Sequence, residues 1–257
     1  MEYTPPMTAR REPTGRWLVT SAAVLAVLGA LAAGGAGPAY RFGLAGLGTA
    51  FMLLRWGAWL GAAAAVVGAL GFVMTIGRAR YAAWIALLAF AVGSVSFAIP
   101  RQMREAAETV PPIHDITTDT DDPPQFQRIA DLREDAPNST SYGGEIIASQ
   151  QHDAYPDIRP IRIPAAPDRA FAVALSVAHA MGWRVVNSDR NAGLIEAVAT
   201  TSWFGFHDDV AVRVRANNGG SQVDIRSASR VGRSDLGKNA ERVRAFMRRF
   251  RTRLNGN

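Results

Sequence analysis

The chain has 257 residues, a formal charge of +6 and no cysteine, so disulfides and thiolate chemistry are excluded. The charge is divided unevenly: residues 1–104 hold nine arginines against two carboxylates (Glu2 and Glu12), whereas residues 105–257 hold nineteen basic and twenty acidic side chains. Arginine flanking long apolar runs suits lipid headgroups, and with no zinc spacing and no aromatic-and-basic RNA signature the chain is expected to bind neither nucleic acid nor a cofactor.

Three apolar runs, residues 17–36, 57–76 and 81–100, each approach the roughly 20 helical residues needed to cross a bilayer core. Residues 1–104 therefore read as an α-helical membrane anchor of three transmembrane helices. Arg10 and Arg11 before the first run give it the look of a secretory signal, but that run is longer than a usual signal core and two further spans follow. A charged side chain at the bilayer centre is expensive, so Arg55-Trp56 is expected to break the middle region, leaving residues 44–54 interfacial or re-entrant. Gly61, Ala65 and Gly68 form a small-residue stripe suited to close helix approach.

Three crossings put the termini on opposite sides. Arg10, Arg11, Arg16, Arg78 and Arg80 fall with the N-terminus, and Arg41, Arg55, Arg101 and Arg104 fall with the C-terminus. By the positive-inside rule this favours a multi-pass protein with a cytoplasmic N-terminus and an outward, periplasmic C-terminal domain.

A short polar helix is expected over residues 101–109. Residues 105–160 then form an irregular acidic stretch with twelve carboxylates and three arginines. From about residue 158 the pattern becomes regular. Residues 168–181 read as a helix with Phe171, Leu175 and Ala178 on one side, followed by strands over 183–187 and 193–200. Val210, Val212 and Val214 alternate up to Asn218-Gly219, and Val223 and Ile225 alternate beyond it. That dipeptide predicts a type I′ hairpin pairing Val214 with Val223, Val212 with Ile225 and Arg213 with Asp224. A last helix over 236–254, capped by Ser234 or Asp235, gathers Val243, Phe246, Met247, Phe250 and Leu254 on one stripe and arginines elsewhere. The domain over 105–257 is thus a small α+β unit: helix, antiparallel four-stranded meander, helix. Its second sheet face, with Arg213, Asp224, Arg226 and Arg230, is expected to meet solvent or a partner.

Three constellations carry candidate chemistry. Arg226, Arg230 and Arg233, with Ser227, Ser229 and Ser234 near a helix start, make a candidate anion site, since guanidinium forks and free N–H groups suit phosphate or carboxylate. His114, Asp115, Thr117, Thr118 and Asp119 make a motif whose carboxylates and imidazole offer an alternative reading as a metal-dependent hydrolase. His207, beside Asp208 and Asp209, is the third, with no nucleophile placed near it by any recognised motif.

Residues 111–119 (Pro-Pro-Ile-His-Asp-Ile-Thr-Thr-Asp), the triplet Tyr155, Pro156 and Asp157, and residues 224–239 (Asp-Ile-Arg-Ser-Ala-Ser-Arg-Val-Gly-Arg-Ser-Asp-Leu-Gly-Lys-Asn) together resemble a bacterial and plastid family. It is the "domain of unknown function" family 1499, in its form with N-terminal membrane helices. The resemblance covers roughly residues 105–254 and implies the membrane setting and the domain boundary, but no reaction. The expectation is an envelope protein whose domain binds a partner protein or an anionic, lipid-like ligand. A scaffold subunit acting through its transmembrane helices is the other alternative.

Overall fold

A computed structural model of the protein describes residues 15–133 and 135–256; Arg10 and Arg11 lie outside the described residues. The chain divides into two compact units, residues 1–104 and 105–257.

The first unit is built on three helices, α1 (Arg16–Arg41), α2 (Leu47–Thr75) and α3 (Arg80–Thr109), all long and apolar enough to cross a membrane. Helix α2 buries Ala50, Leu54, Gly57, Gly61, Ala64, Gly68, Gly71 and Thr75, in steps that alternate four and three. Helix α1 buries Val19, Ala22, Ala26, Gly29, Ala33 and Ala36 in the same rhythm. A seven-residue repeat of small side chains is the pattern of two helices winding together at close range. Added bulk has nowhere to go: a Cβ on Gly61 would lie 2.7 Å from the Gly93 carbonyl oxygen and 2.8 Å from Ser96 Cβ. The buried stripe runs through Ala64 rather than Ala65, and it is spent within the bundle. Large apolar side chains such as Trp17, Leu31, Trp59, Val66 and Leu88 face outward.

Two expectations for this unit are corrected. Helix α2 passes through Arg55 without a break. Arg55 is exposed and stands only eight residues, about 12 Å of helix, from the start of α2, so its side chain can reach the interface while the backbone keeps its hydrogen bonds. Helix α3 likewise continues through Pro100, so the polar segment 101–109 is its last turns rather than a separate helix. Pro100 forfeits a single intrahelical bond, which is tolerated here.

The second unit contains β1 (Asp115–Thr117), α4 (Arg128–Asp131), α5 (Gly144–Ala154), β2 (Ile161–Ile163), α6 (Pro167–Ala180), β3 (Arg184–Asp189), β4 (Leu194–Thr200), β5 (His207–Asn217), β6 (Gly220–Ser229) and α7 (Lys238–Asn255). The expected meander is present as β3-β4-β5-β6, all antiparallel, with a bulge in β3 between Val185 and Asn187. The β5–β6 hairpin has the expected register, Val214 opposite Val223, Val212 opposite Ile225 and Arg213 opposite Asp224. Asn218 and Gly219 take the left-handed φ values of 44° and 80° that a type I′ turn demands. One sheet face meets α6 and α7 over a core that includes Phe171, Val177, Val212, Ile225, Phe246 and Phe250. Trp183 stacks on Phe246 with ring centroids 5.8 Å apart. Each such side chain contributes about 1.5–3 kcal/mol on burial.

The acidic stretch is where the outcome departs most from expectation. It is not coil beside the fold but part of it. Both β1 and β2 pair antiparallel with β6, extending the sheet to six strands. Residues 119–133 then cross the second sheet face, where Phe126 and Ile129 pack on Leu194, Ala211 and Ala228 as a second, smaller core, and Thr140 also reaches Arg226 there. That face, expected to be open, is covered.

Candidate functional site

Successive residues of a strand alternate faces, so β6 sends Asp224, Arg226 and Ala228 to the covered face and Ile225, Ser227 and Ser229 to the helical core. Arg226 is fully buried. Its Nε and Nη2 donate to the two oxygens of Asp115, the Nη2 bond to Oδ2 being 2.7 Å, and its remaining N–H groups reach the carbonyls of Pro124 and Thr140. The guanidinium lies 4.6 Å from the Phe126 ring centroid and 5.7 Å from that of Tyr142. Burial, reinforced by the charge of Asp115, raises the pKa of the Tyr142 phenol.

The neighbouring charges are matched in the same way. Asp209 takes a forked pair of bonds from Arg230, at 2.8–3.1 Å, and lies 3.1 Å from Arg133. Asp224 receives Arg213 and Arg215, which also hold Asp119 and Asp122. Burial opposes ionisation of Asp122, but Arg213 and Arg215 overcome it and lower its pKa. Glu196 accepts the backbone N–H groups of Gln127, Arg128 and Ile129 and so holds the start of α4 on the sheet. Asn187 donates to the same carboxylate. Asp115, Asp119 and Asp122 of the acidic stretch are thus counter-charges for the sheet arginines Arg213, Arg215 and Arg226.

On the other face, at the start of α7, the serines find partners within the fold. Ser227 Oγ donates to Asn239 Oδ1 at 2.7 Å, Asn239 Nδ2 donates to Ser229 Oγ and to the His114 carbonyl, and Arg242 joins Ser227 and Asn239 to Asp208. Asp235 accepts the N–H groups of Gly237 and Asn239 and Ser234 accepts that of Leu236, but the N-cap of α7 is Gly237, in a left-handed conformation, rather than either expected residue. Burial raises the Asp235 carboxyl above its usual range, against the pull of these two N–H bonds.

The expected anion-site residues are therefore not brought together. Arg226 and Arg230 lie on the covered face with their aspartates, Ser227 and Ser229 on the opposite one, and Arg233 is exposed in the connection to α7. The His114 motif is dispersed too. Asp115 belongs to Arg226 and Asp119 to Arg215. Thr117 exchanges backbone hydrogen bonds with the Gln151 side chain, and Thr118 Oγ1 accepts the Ile225 N–H. Among the described residues, no group of three or more His, Asp or Glu side chains could hold a metal ion. His207 sits against Thr200 Oγ1 at 3.0 Å. Burial, aided by Arg230 and Arg184, lowers its pKa. The Tyr155-Pro156-Asp157 triplet also has a structural role: both oxygens of Asp157 accept from Arg244 at 2.6 Å, and Arg244 covers the Tyr155 ring.

A separate group of arginines faces outward at the end of α7. Arg248, Arg249, Arg251 and Arg253 are exposed on the last two turns of α7, and among the described residues no carboxylate pairs with any of them. Nearby, Arg169 of α6 donates to the Leu254 carbonyl. The arginine-rich stripe was visible in the sequence, but which guanidiniums were already neutralised was not.

No curated protein matches the chain. The model of the family described as "Protein of unknown function (DUF1499)" matches residues 115–250, from β1 into the last turns of α7, and the chain belongs to that family.

Proposed function

We propose that this protein is a non-catalytic, multi-pass protein of a bacterial inner membrane whose C-terminal domain sits on the periplasmic side and docks on anionic lipid headgroups through the end of α7. The carrying observation is the unneutralised set Arg248, Arg249, Arg251 and Arg253, in a domain where Arg133, Arg213, Arg215, Arg226, Arg230, Arg242 and Arg244 all have aspartate partners. Each arginine near an anionic surface contributes about 1 kcal/mol, so four give up to about 4 kcal/mol, reduced by salt. The chain that carries this face emerges from an apolar helix, which holds it at high effective concentration beside the bilayer.

The cysteine-free sequence makes the test direct. A single Thr252→Cys substitution on the exposed side of α7 takes a fluorophore, and the full chain is reconstituted in vesicles whose headgroups bear a quencher. Quenching is expected in phosphatidylglycerol vesicles, and it should disappear in high salt or when all four arginines become glutamine. Equal quenching in phosphatidylcholine, or none lost in the glutamine variant, would overturn the reading.

A further inference from the structure

The outer edge of β6 is covered by two separate three-residue strands. Asp115–Thr117 pairs with residues 226–228 and Ile161–Ile163 with residues 221–223, both antiparallel, so the two lie end to end along one neighbour. The chain leaves this edge after Thr118, whose N–H still reaches the Ile225 carbonyl, and returns only at Ile161. Between departure and return is a cleft of about 450 Å³, bounded by residues 118–122 on one side and 158–162 on the other, with His152, Arg215 and Gln222 completing it. That volume is within the range of small-molecule sites.

Several of the cleft's charged groups are already used internally. Asp119 and Asp122 hold Arg215, and His152 Nε2 meets Thr120 Oγ1 at 3.2 Å. The unused capacity has two signs. Arg159 and Arg162 each spend only Nε, on the Pro156 carbonyl and on Gln222 Oε1, which leaves the outer N–H groups of both guanidiniums available. Asp121 is exposed and has no partner among the described residues. A free guanidinium pair on one segment and a free carboxylate on the other ask for a ligand bearing both charges. A simple anion would leave Asp121 unanswered and stand close to three aspartates; a simple cation would leave the arginines unanswered.

We propose that this notch in the split edge strand binds a small zwitterion, its phosphate or carboxylate on Arg159 and Arg162 and its ammonium on Asp121. The chemistry is shared by a phosphoethanolamine headgroup and by a short peptide with free termini. The site is independent of the arginines of α7, so either reading can fail without the other.

The test is a thermal-shift and calorimetric titration of the full chain in detergent with O-phosphoethanolamine, alanyl-alanine, inorganic phosphate and ethanolamine. Saturable binding of at least one zwitterion is expected, with neither phosphate nor ethanolamine matching it. A response to phosphoethanolamine alone assigns a headgroup; a response to the dipeptide alone assigns peptide termini. Arg162→Gln and Asp121→Asn, both at exposed positions, should each weaken binding about tenfold or more, as loss of one charge-assisted contact does, while leaving the ligand-free melting temperature in place. No saturable response to either zwitterion, phosphate binding as tightly as phosphoethanolamine, or both variants retaining full affinity would each overturn the proposal.

Discussion

Replacing Arg226 by alanine should unfold the second unit at markedly lower temperature. The substitution removes a fully buried guanidinium that makes three hydrogen bonds to Asp115, reaches two backbone carbonyls and stacks against Phe126. It leaves the Asp115 carboxylate, itself 5 % exposed, without its cation. Removing one member of a buried pair costs about 3–5 kcal/mol, most of it from the orphaned charge. For a unit of this size, each kcal/mol lowers the melting temperature by about 2–4 °C, so a fall of about 6–20 °C is expected. The pairing argument makes a sharper demand. The double variant Asp115→Ala with Arg226→Met has no orphaned charge and should recover at least half of the loss. Melting of the full chain in detergent, followed by fluorescence, reads both. If Arg226→Ala melts within about 2 °C of the parent, or if the double variant is as unstable as the single, the buried pair is not what holds β1 and the 119–133 crossing to the sheet.

Three further outcomes follow from the same geometry. The raised pKa of Asp235 means the folded state keeps that proton to higher pH than the unfolded chain, so its ionisation lowers stability as pH rises from the ordinary carboxylate range through the raised value. Asp235→Asn retains an acceptor for Gly237 and Asn239 and should be at least as stable at neutral pH, with that decline absent from its melting profile. His207 has the opposite dependence: its pKa is lowered, so the unfolded chain protonates first, near pH 6.5, and the stability His207 contributes is lost as pH falls through the lowered value. His207→Gln should flatten that acid limb in the same measurement. In the anchor, Gly61→Leu should disrupt the three-helix packing, because its Cβ alone would press on the Gly93 carbonyl and Ser96; loss of a discrete, protease-resistant anchor band in detergent reads the effect.

Legibility in the sequence tracked the length of each pattern. The β5–β6 hairpin was readable because two runs of alternating residues meet at Asn218-Gly219, so turn and register specify each other. Helix α7 was readable from five apolar residues at helical spacing. By contrast, β1 and β2 are three residues each, too short for alternation to register, and what attaches them is backbone pairing to β6 rather than a local apolar period. The fate of Arg226 was hidden for the same reason. Without knowing that Asp115 lies across from Ala228, nothing marks the two charges as partners 111 residues apart. The arginines and serines of residues 226–234 are near neighbours in the chain, which suggested one site, but strand alternation sends them to opposite faces. Arg55 leaves α2 unbroken because distance from the end of the helix matters more than charge alone.

The bulge between Val185 and Asn187 bears on how copies of this protein coexist. At the far edge of the sheet, β3 would offer a six-residue row of unpaired N–H and C=O groups to any neighbouring copy. Proteins confined to a membrane plane meet one another far more often than dilute soluble ones, so such an edge would be hazardous. The extra residue twists the row out of register, and Arg184 and Asp189 put a charge at each end. Straightening that irregularity would restore an edge open to pairing with a second strand.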